Sequence, residues 1–310
     1  MQIIEFEEIQ RRLNFAEIIE SMRAALIAQR RGQCDTPMPM HLEISAEQGE
    51  VHMKSSYRAG GEYFALKTAT SFPNNLNRGL PVGSGMMLLS SAETGQPVAI
   101  LEDRGHLTDV RTAAVSALVT QALGRTDTSL GVLGTGIQAR LQVQLHAEVL
   151  DLKTVYVWGR TPERVTAYRD DIERTLKDIR VESVGSPNEL AENTNLIVTA
   201  TAARAPLLAA SAVRRGMHLS AVGADSIGKQ ELDGEILRRS DLLLVDSQIQ
   251  CRKLGELQHA LDQEDRAVEI GRFLESAESP VGDAITVCDF TGLGVEDLYI
   301  AEYCFTRGTR

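Results

Sequence analysis

The sequence offers little that would tie it to a membrane, a nucleic acid or an oxidising compartment. It contains no run of about 18 apolar residues able to span a bilayer. Its start, Met1-Gln2-Ile3-Ile4-Glu5-Phe6-Glu7-Glu8, lacks the basic opening and apolar core of a signal peptide. Positive charge is in deficit, with 32 Lys and Arg against 43 Asp and Glu and a net charge of −11. Sequence-independent binding to nucleic acid or to anionic lipid needs clustered positive charge, so both partners are disfavoured. Cysteine is sparse: Cys34, Cys251, Cys288 and Cys304 lie far apart and form no C-x-x-C pair. That argues against a disulfide framework or a zinc site, and no metal site is expected. These absences together point to the cytoplasm. Internal repeats and low-complexity segments are also lacking.

What is present is a chain of 310 residues, 43% hydrophobic. That length fits two domains, or one large one, at roughly 100–200 residues per domain. Asn14 followed by Glu17 has capping-box spacing. Ile18, Ile19, Met22 and Leu26 then recur at helical intervals up to a stop at Gly32. After the proline-broken stretch 36–40, strand-like pieces run from Val51 to Tyr57 and from Tyr63 to Ala69. A hairpin is expected from Met86–Ser90 and Val98–Leu101 across Glu93-Thr94-Gly95. This first region reads as α+β with antiparallel pairing. Thr112–Leu123 is alanine-rich and helical, and from Ser129 onward apolar strands alternate with helices. Such alternation implies a parallel sheet. The segment from Ile285 to Tyr303 resembles the first region, so the chain is expected to return there. The expected architecture is an α/β chain: a Rossmann-type domain, residues 125–288, inserted into an α+β domain built from residues 1–124 and 289–310.

The strand Leu130-Gly131-Val132-Leu133 runs directly into Gly134-Thr135-Gly136-Ile137-Gln138-Ala139, and a helix follows. Strand, tight turn and helix form the context in which a glycine-rich loop binds a dinucleotide. Gly134 permits the turn, Gly136 lets a pyrophosphate approach the backbone, and Ala139 takes the third small position. The helix start adds unsatisfied N–H groups and the positive end of the helix dipole. An NAD-preferring site places Asp or Glu at the end of the next strand. No acid stands there. Gly159 and Arg160 do, followed by Thr161 and Arg164. A guanidinium can pair with a ribose 2′-phosphate, so NADP(H) is expected in preference to NAD(H), which remains possible. Thr199 and Val222, on the strands that follow, complete the expected cofactor set.

Four stretches occur in order: Leu107–Ala114, the glycine loop, Val222–Leu232 and Asp289–Asp297. In this combination the chain resembles the ornithine cyclodeaminase/mu-crystallin family over essentially its whole length. The resemblance implies a dimerising substrate domain made from both termini around an inserted Rossmann domain, and hence a homodimer. It includes cyclodeaminases, ketimine and other imine reductases, alanine dehydrogenases and cytosolic NADPH binders.

Three residues draw both on this resemblance and on their own chemistry. Arg111 can hold a substrate carboxylate bidentately, or serve as a structural salt bridge. Lys67 lies in the otherwise apolar Phe64–Ala69; if buried, its pKa falls and it can handle a proton. Asp225 follows the strand ending Ala221-Val222-Gly223, where ligands bind in open α/β sheets. The resemblance makes it the acid or base. One expected feature is missing. Many relatives carry an arginine in the loop after the first helix, whereas here it reads Pro37-Met38-Pro39-Met40-His41. Lys54 is the candidate second cation. His41 and His106 read as structural histidines, and Cys288, Met86 and Met87 as core. The expected activity is reduction of the C=N bond of an imino or cyclic ketimine carboxylate. An ornithine-type cyclodeaminase using catalytic NAD+ and a non-catalytic NADPH binder are the alternatives.

Overall fold

The computed structural model describes residues 1–276 and 282–308. They form two compact units, Met1–Arg111 with Leu293–Arg310, and Thr112–Gly292.

The first unit contains β1 (Gln2–Ile4), α1 (Phe6–Arg12), α2 (Phe15–Arg30), β2 (Cys34–Asp35), β3 (Met40–Ile44), β4 (Gly49–Arg58), β5 (Tyr63–Ser71), β6 (Gly83–Ser91), β7 (Pro97–Leu101) and the start of α3 (His106–Ala122). Helix α2 forms as its sequence dictates. Asn14 Oδ1 accepts from Glu17 N at 3.1 Å, Ile18, Ile19, Met22 and Leu26 are buried, and Gly32 ends the helix at φ +65°. The sheet runs β1-β7-β6-β5-β4-β2, with β3 attached to β4. Register places Lys54, Lys67, Met87 and Leu101 in one row and Ser55, Leu66, Leu88 and Ile100 in the next. Successive side chains point to opposite faces, so these rows face opposite ways. Lys67, Met87 and Leu101 are buried, while Leu66 is 43% exposed. The same alternation corrects the expectation for the methionine pair: Met87 is core, but Met86 is exposed.

The second unit continues with β8 (Ser129–Leu133), α4 (Ile137–Ala147), β9 (Thr154–Trp158), α5 (Pro162–Thr175), β10 (Arg180–Ser183), α6 (Pro187–Asn193), β11 (Leu196–Thr199), β12 (Arg204–Leu208), β13 (His218–Ala221), β14 (Gln230–Leu232), α7 (Gly234–Arg239), β15 (Leu242–Val245), α8 (Gln248–Leu254), β16 (Val268–Glu269), α9 (Ile270–Glu275) and β17 (Thr286–Asp289). Eight strands, all parallel, are ordered β10-β9-β8-β11-β13-β17-β15-β16. Buried Leu133, Ile197, Leu219, Leu243 and Val287 supply its core. The chain then returns to the first unit as α10 (Gly294–Thr306), which packs on α2, β4, β5 and β6.

Three sequence expectations shift here. Helix α3 starts at His106 rather than Thr112, because Asp103 Oδ2 accepts from Leu107 N at 2.9 Å and Gly105 turns the chain at φ +87°. Arg111 therefore lies within the helix. The units divide inside α3 rather than after residue 124; Thr120 Oγ1, beyond the division, bonds His146 Nε2 at 3.0 Å. Ile285–Asp289 does not belong with the first region. Its buried run forms β17 between β13 and β15. Asp246 then accepts from Thr291 N and Gly292 N at 2.7 and 2.6 Å, which keeps the chain in the second unit up to Gly292.

Candidate functional site

In the second unit, Gly134, Thr135, Gly136, Arg160, Thr161 and Arg164 line one cavity of about 420 Å³ with Ala200 and Thr201. Backbone geometry explains the glycines. Gly134 sits at φ +126°, and a Cβ there would lie 2.5 Å from Ala200 O. A Cβ on Gly136 would meet no protein atom within 4 Å, so the residue lies open on the cavity it lines. Gly159 lets the end of β9 approach Thr135, whose Cγ2 would be 2.7 Å from an added Cβ. Helix α4 begins at Ile137 with Gly136 as N-cap and no side-chain cap. A helix start of this kind carries the positive end of the helix dipole, which favours an anion. Ile137 is 64% exposed, an apolar side chain held at the loop. Arg160 and Arg164 are exposed cations on the cavity wall, and Thr161, the N-cap of α5, makes no side-chain cap hydrogen bond. These residues fit a dinucleotide.

Thr199 and Val222 are placed differently. Both are buried and neither lines this cavity. The Thr199 hydroxyl donates to Glu231 Oε2 at 2.6 Å. Glu231 also accepts from Thr201 N and Thr201 Oγ1, each at 2.7 Å, and from Gly223 N at 2.9 Å. One buried carboxylate thus fixes the loops leaving β11 and β13. Burial raises its pKa although all these donors oppose the shift. Glu231 stands within the stretch Val222–Leu232, but its role is not visible there because its partners lie up to 32 residues away. Asp225, on the loop Glu231 holds, is half-exposed. Its Oδ1 accepts from Lys229 Nζ at 2.6 Å and from Ser226 Oγ at 3.0 Å.

In the first unit, Lys67 and Arg111 are buried together. Lys67 Nζ is 3.1 Å from Asp297 Oδ2. Arg111 donates through Nε to Asp297 Oδ1 at 3.0 Å and through Nη1 to Glu296 Oε2 at 2.7 Å. Gly294 makes this possible. A Cβ there would lie 2.4 Å from Ser55 O, so only glycine lets α10 start against β4 and deliver both acids to the buried face. Lys54 stands directly opposite Lys67. Burial drives the Lys67 pKa from 10.5 down to about 7; Asp297 opposes the shift, while Arg111 and Lys54 deepen it. Burial alone would raise the Asp297 carboxyl, but the attraction of Lys67, Arg111 and Lys54 holds it below its ordinary value. Lys67 is therefore the buried cation anticipated from its apolar strand, poised to gain or lose a proton near neutrality. Arg111 does form a structural salt bridge, and its acidic partners fix its direction. Asp297 and Glu296 were the residues missed in the sequence.

A parallel-sheet domain with a glycine-loop cavity, inserted into a mixed-sheet domain with a buried lysine, arginine and acids, defines the architecture of a dinucleotide-dependent enzyme class. A model described as the ornithine cyclodeaminase/mu-crystallin family matches residues 2–309. The chain belongs to that family. It is 34% identical over 279 residues to an uncharacterized cyclodeaminase of Sinorhizobium fredii, covering 87% of this chain and 84% of the relative. It is 29% identical to a Delta(1)-pyrroline-2-carboxylate reductase of Bacillus cereus, covering 99% and 96%. Among solved structures, Thermococcus litoralis Delta(1)-pyrroline-2-carboxylate reductase in complex with NADH and L-proline superposes with TM-score 0.93 at 26% identity, covering 100% and 98%. No helix among the described residues is long and apolar enough to cross a membrane.

Proposed function

We propose that the protein is a nicotinamide-dependent reductase acting on the C=N bond of an imino or cyclic ketimine carboxylate and yielding an amino acid. The observation that carries this reading is Lys67, a fully buried lysine brought to about pH 7 beside Arg111. Arg111, with Lys54, binds the substrate carboxylate. Lys67 orients the imine and holds a proton for its nitrogen. Asp225, paired with Lys229, supplies or relays a proton. The nicotinamide, when bound, supplies the hydride; the protein's part is orientation and electrostatics. The reductases among the relatives support this assignment.

The cofactor is a nicotinamide dinucleotide, and we infer a preference for NADP(H). Arg160, Thr161 and Arg164 on the cavity wall support it, as does the lack of an acid at the end of β9. The cyclodeaminase reading draws on the S. fredii relative. It requires NAD+ to be regenerated within each cycle, and Arg160 speaks for the other cofactor. A retired, purely binding protein would have no need to keep Lys67 buried against its desolvation cost. We also infer a homodimer, formed through the exposed apolar face of the first unit's sheet, which bears Met40, Leu42, Leu66 and Met86. Contiguous exposed apolar side chains of this kind mark association surfaces. Incubation with NADPH and cyclic imino acids, followed at the absorbance of the reduced cofactor, tests the activity. Ornithine giving proline and ammonia with no net cofactor change would replace it with the cyclodeaminase.

A further inference from the structure

We propose that His41, Glu50 and His52 form a binding site for a divalent transition metal of the zinc class on the β3–β4 hairpin. One donor atom from each lies within 4.8 Å of the other two. His41 and His52 are direct cross-strand partners, with ring centroids 4.7 Å apart and planes inclined by 25°. Glu50 is two residues before His52 on the same strand, hence on the same face. Its Oε2 lies 3.4 Å from His52 Nε2. A zinc ion binding at about 2.0–2.2 Å in tetrahedral geometry needs donors about 3.4 Å apart. The Glu50–His52 pair meets that spacing, and His41 is exposed on its strand and closes the remainder by side-chain rotation.

The donor set selects the metal class. Two imidazoles and a carboxylate suit zinc, nickel or copper, whereas magnesium and calcium take all-oxygen shells. The surroundings favour a dication as well. Glu43 is directly opposite Glu50, and like charges in that position are destabilising. A bound cation offsets that repulsion. The site would also fasten a weakly held strand. Among the described residues β3 pairs only with β4, and four of its five residues are exposed. Along β4 the row Glu50, His52, Lys54 continues to the residue opposite Lys67, so the metal would stiffen the strand that carries the second substrate cation.

The test uses the full chain without a polyhistidine tag, stripped with chelator and titrated calorimetrically with zinc chloride. The expected result is one zinc per chain. Outer partners of metal ligands alone are worth about 10–100-fold in affinity, so His41→Ala and His52→Ala should each weaken binding by at least about tenfold. His259→Ala should leave it unchanged. Glu50→Gln, close in shape, guards against misfolding and should weaken binding with an unchanged far-ultraviolet spectrum. Zinc should also slow amide exchange across 40–44 in the unsubstituted protein only. No stoichiometric binding, or equal binding by the His41 and His52 variants, overturns the proposal.

Discussion

Lys67 Nζ lies 3.1 Å from Asp297 Oδ2, joining β5 to the returning helix α10. Both groups are buried, so the lysine is charged at a cost that depends on pH. Its pKa falls from 10.5 in the unfolded chain to about 7 in the folded one. Between those values the unfolded state binds more protons, so this residue makes stability rise with pH. Below about pH 7 the penalty is present in full, and it is relieved as pH climbs toward 10.5. Urea unfolding of the native protein and of Lys67→Met, compared at pH 6.5 and 9, should show the positive slope in the native protein and a smaller one in the variant. Equal slopes would mean that Lys67 keeps its proton throughout.

Arg160→Asp tests the cofactor assignment. A charge-assisted hydrogen bond is worth about 1.5–3 kcal/mol, roughly 10–100-fold. The ratio of kcat/KM for NADPH over NADH should fall by that factor or more, since an aspartate repels a 2′-phosphate and suits a 2′-hydroxyl. An unchanged ratio would remove Arg160 from cofactor selection.

How far the site is legible in the sequence depends on how local its causes are. The glycine loop is fully local, because strand, turn and helix start are consecutive, and the cavity at Gly134, Gly136 and Arg160 follows directly. Lys67 is nearly as legible, since a lysine within an apolar strand carries its burial in its neighbours. Asp297 and Glu296 are not. They reach Arg111 across 186 and 185 residues, and nothing in their own stretch says which face of the sheet α10 will cover. The surroundings of Thr199 are hidden for the same reason: its partner is Glu231, a contact made by β14 and its loops. β17 was misread because a short, wholly buried run lacks the alternation that distinguishes one sheet from another.

Asp225→Asn should abolish most turnover while leaving NADPH affinity within about twofold, because the residue lies outside the glycine-loop cavity and a general acid or base contributes about 10²–10⁴-fold. Stopped-flow turnover together with fluorescence titration of the cofactor separates the two effects. Retained turnover would assign Asp225 to holding Lys229 alone.

Leu66→Glu puts a charge into the exposed apolar face of the first unit's sheet without touching its buried row. Light scattering after gel filtration should give a dimer for the native protein and a monomer for the variant. A native monomer, or a variant that still dimerises, would move the association surface elsewhere.

The most direct measurement of the central claim is a cofactor-oxidation assay on the purified protein with NADPH and a panel of pyrroline- and piperideine-carboxylates, analysed for amino-acid product. Stoichiometric oxidation of NADPH, with one amino acid formed per cofactor consumed and the rate lost in Arg111→Met, is the predicted result. Tight NADPH binding without oxidation on any imino acid, or conversion of ornithine to proline and ammonia with no net change in cofactor, would contradict it.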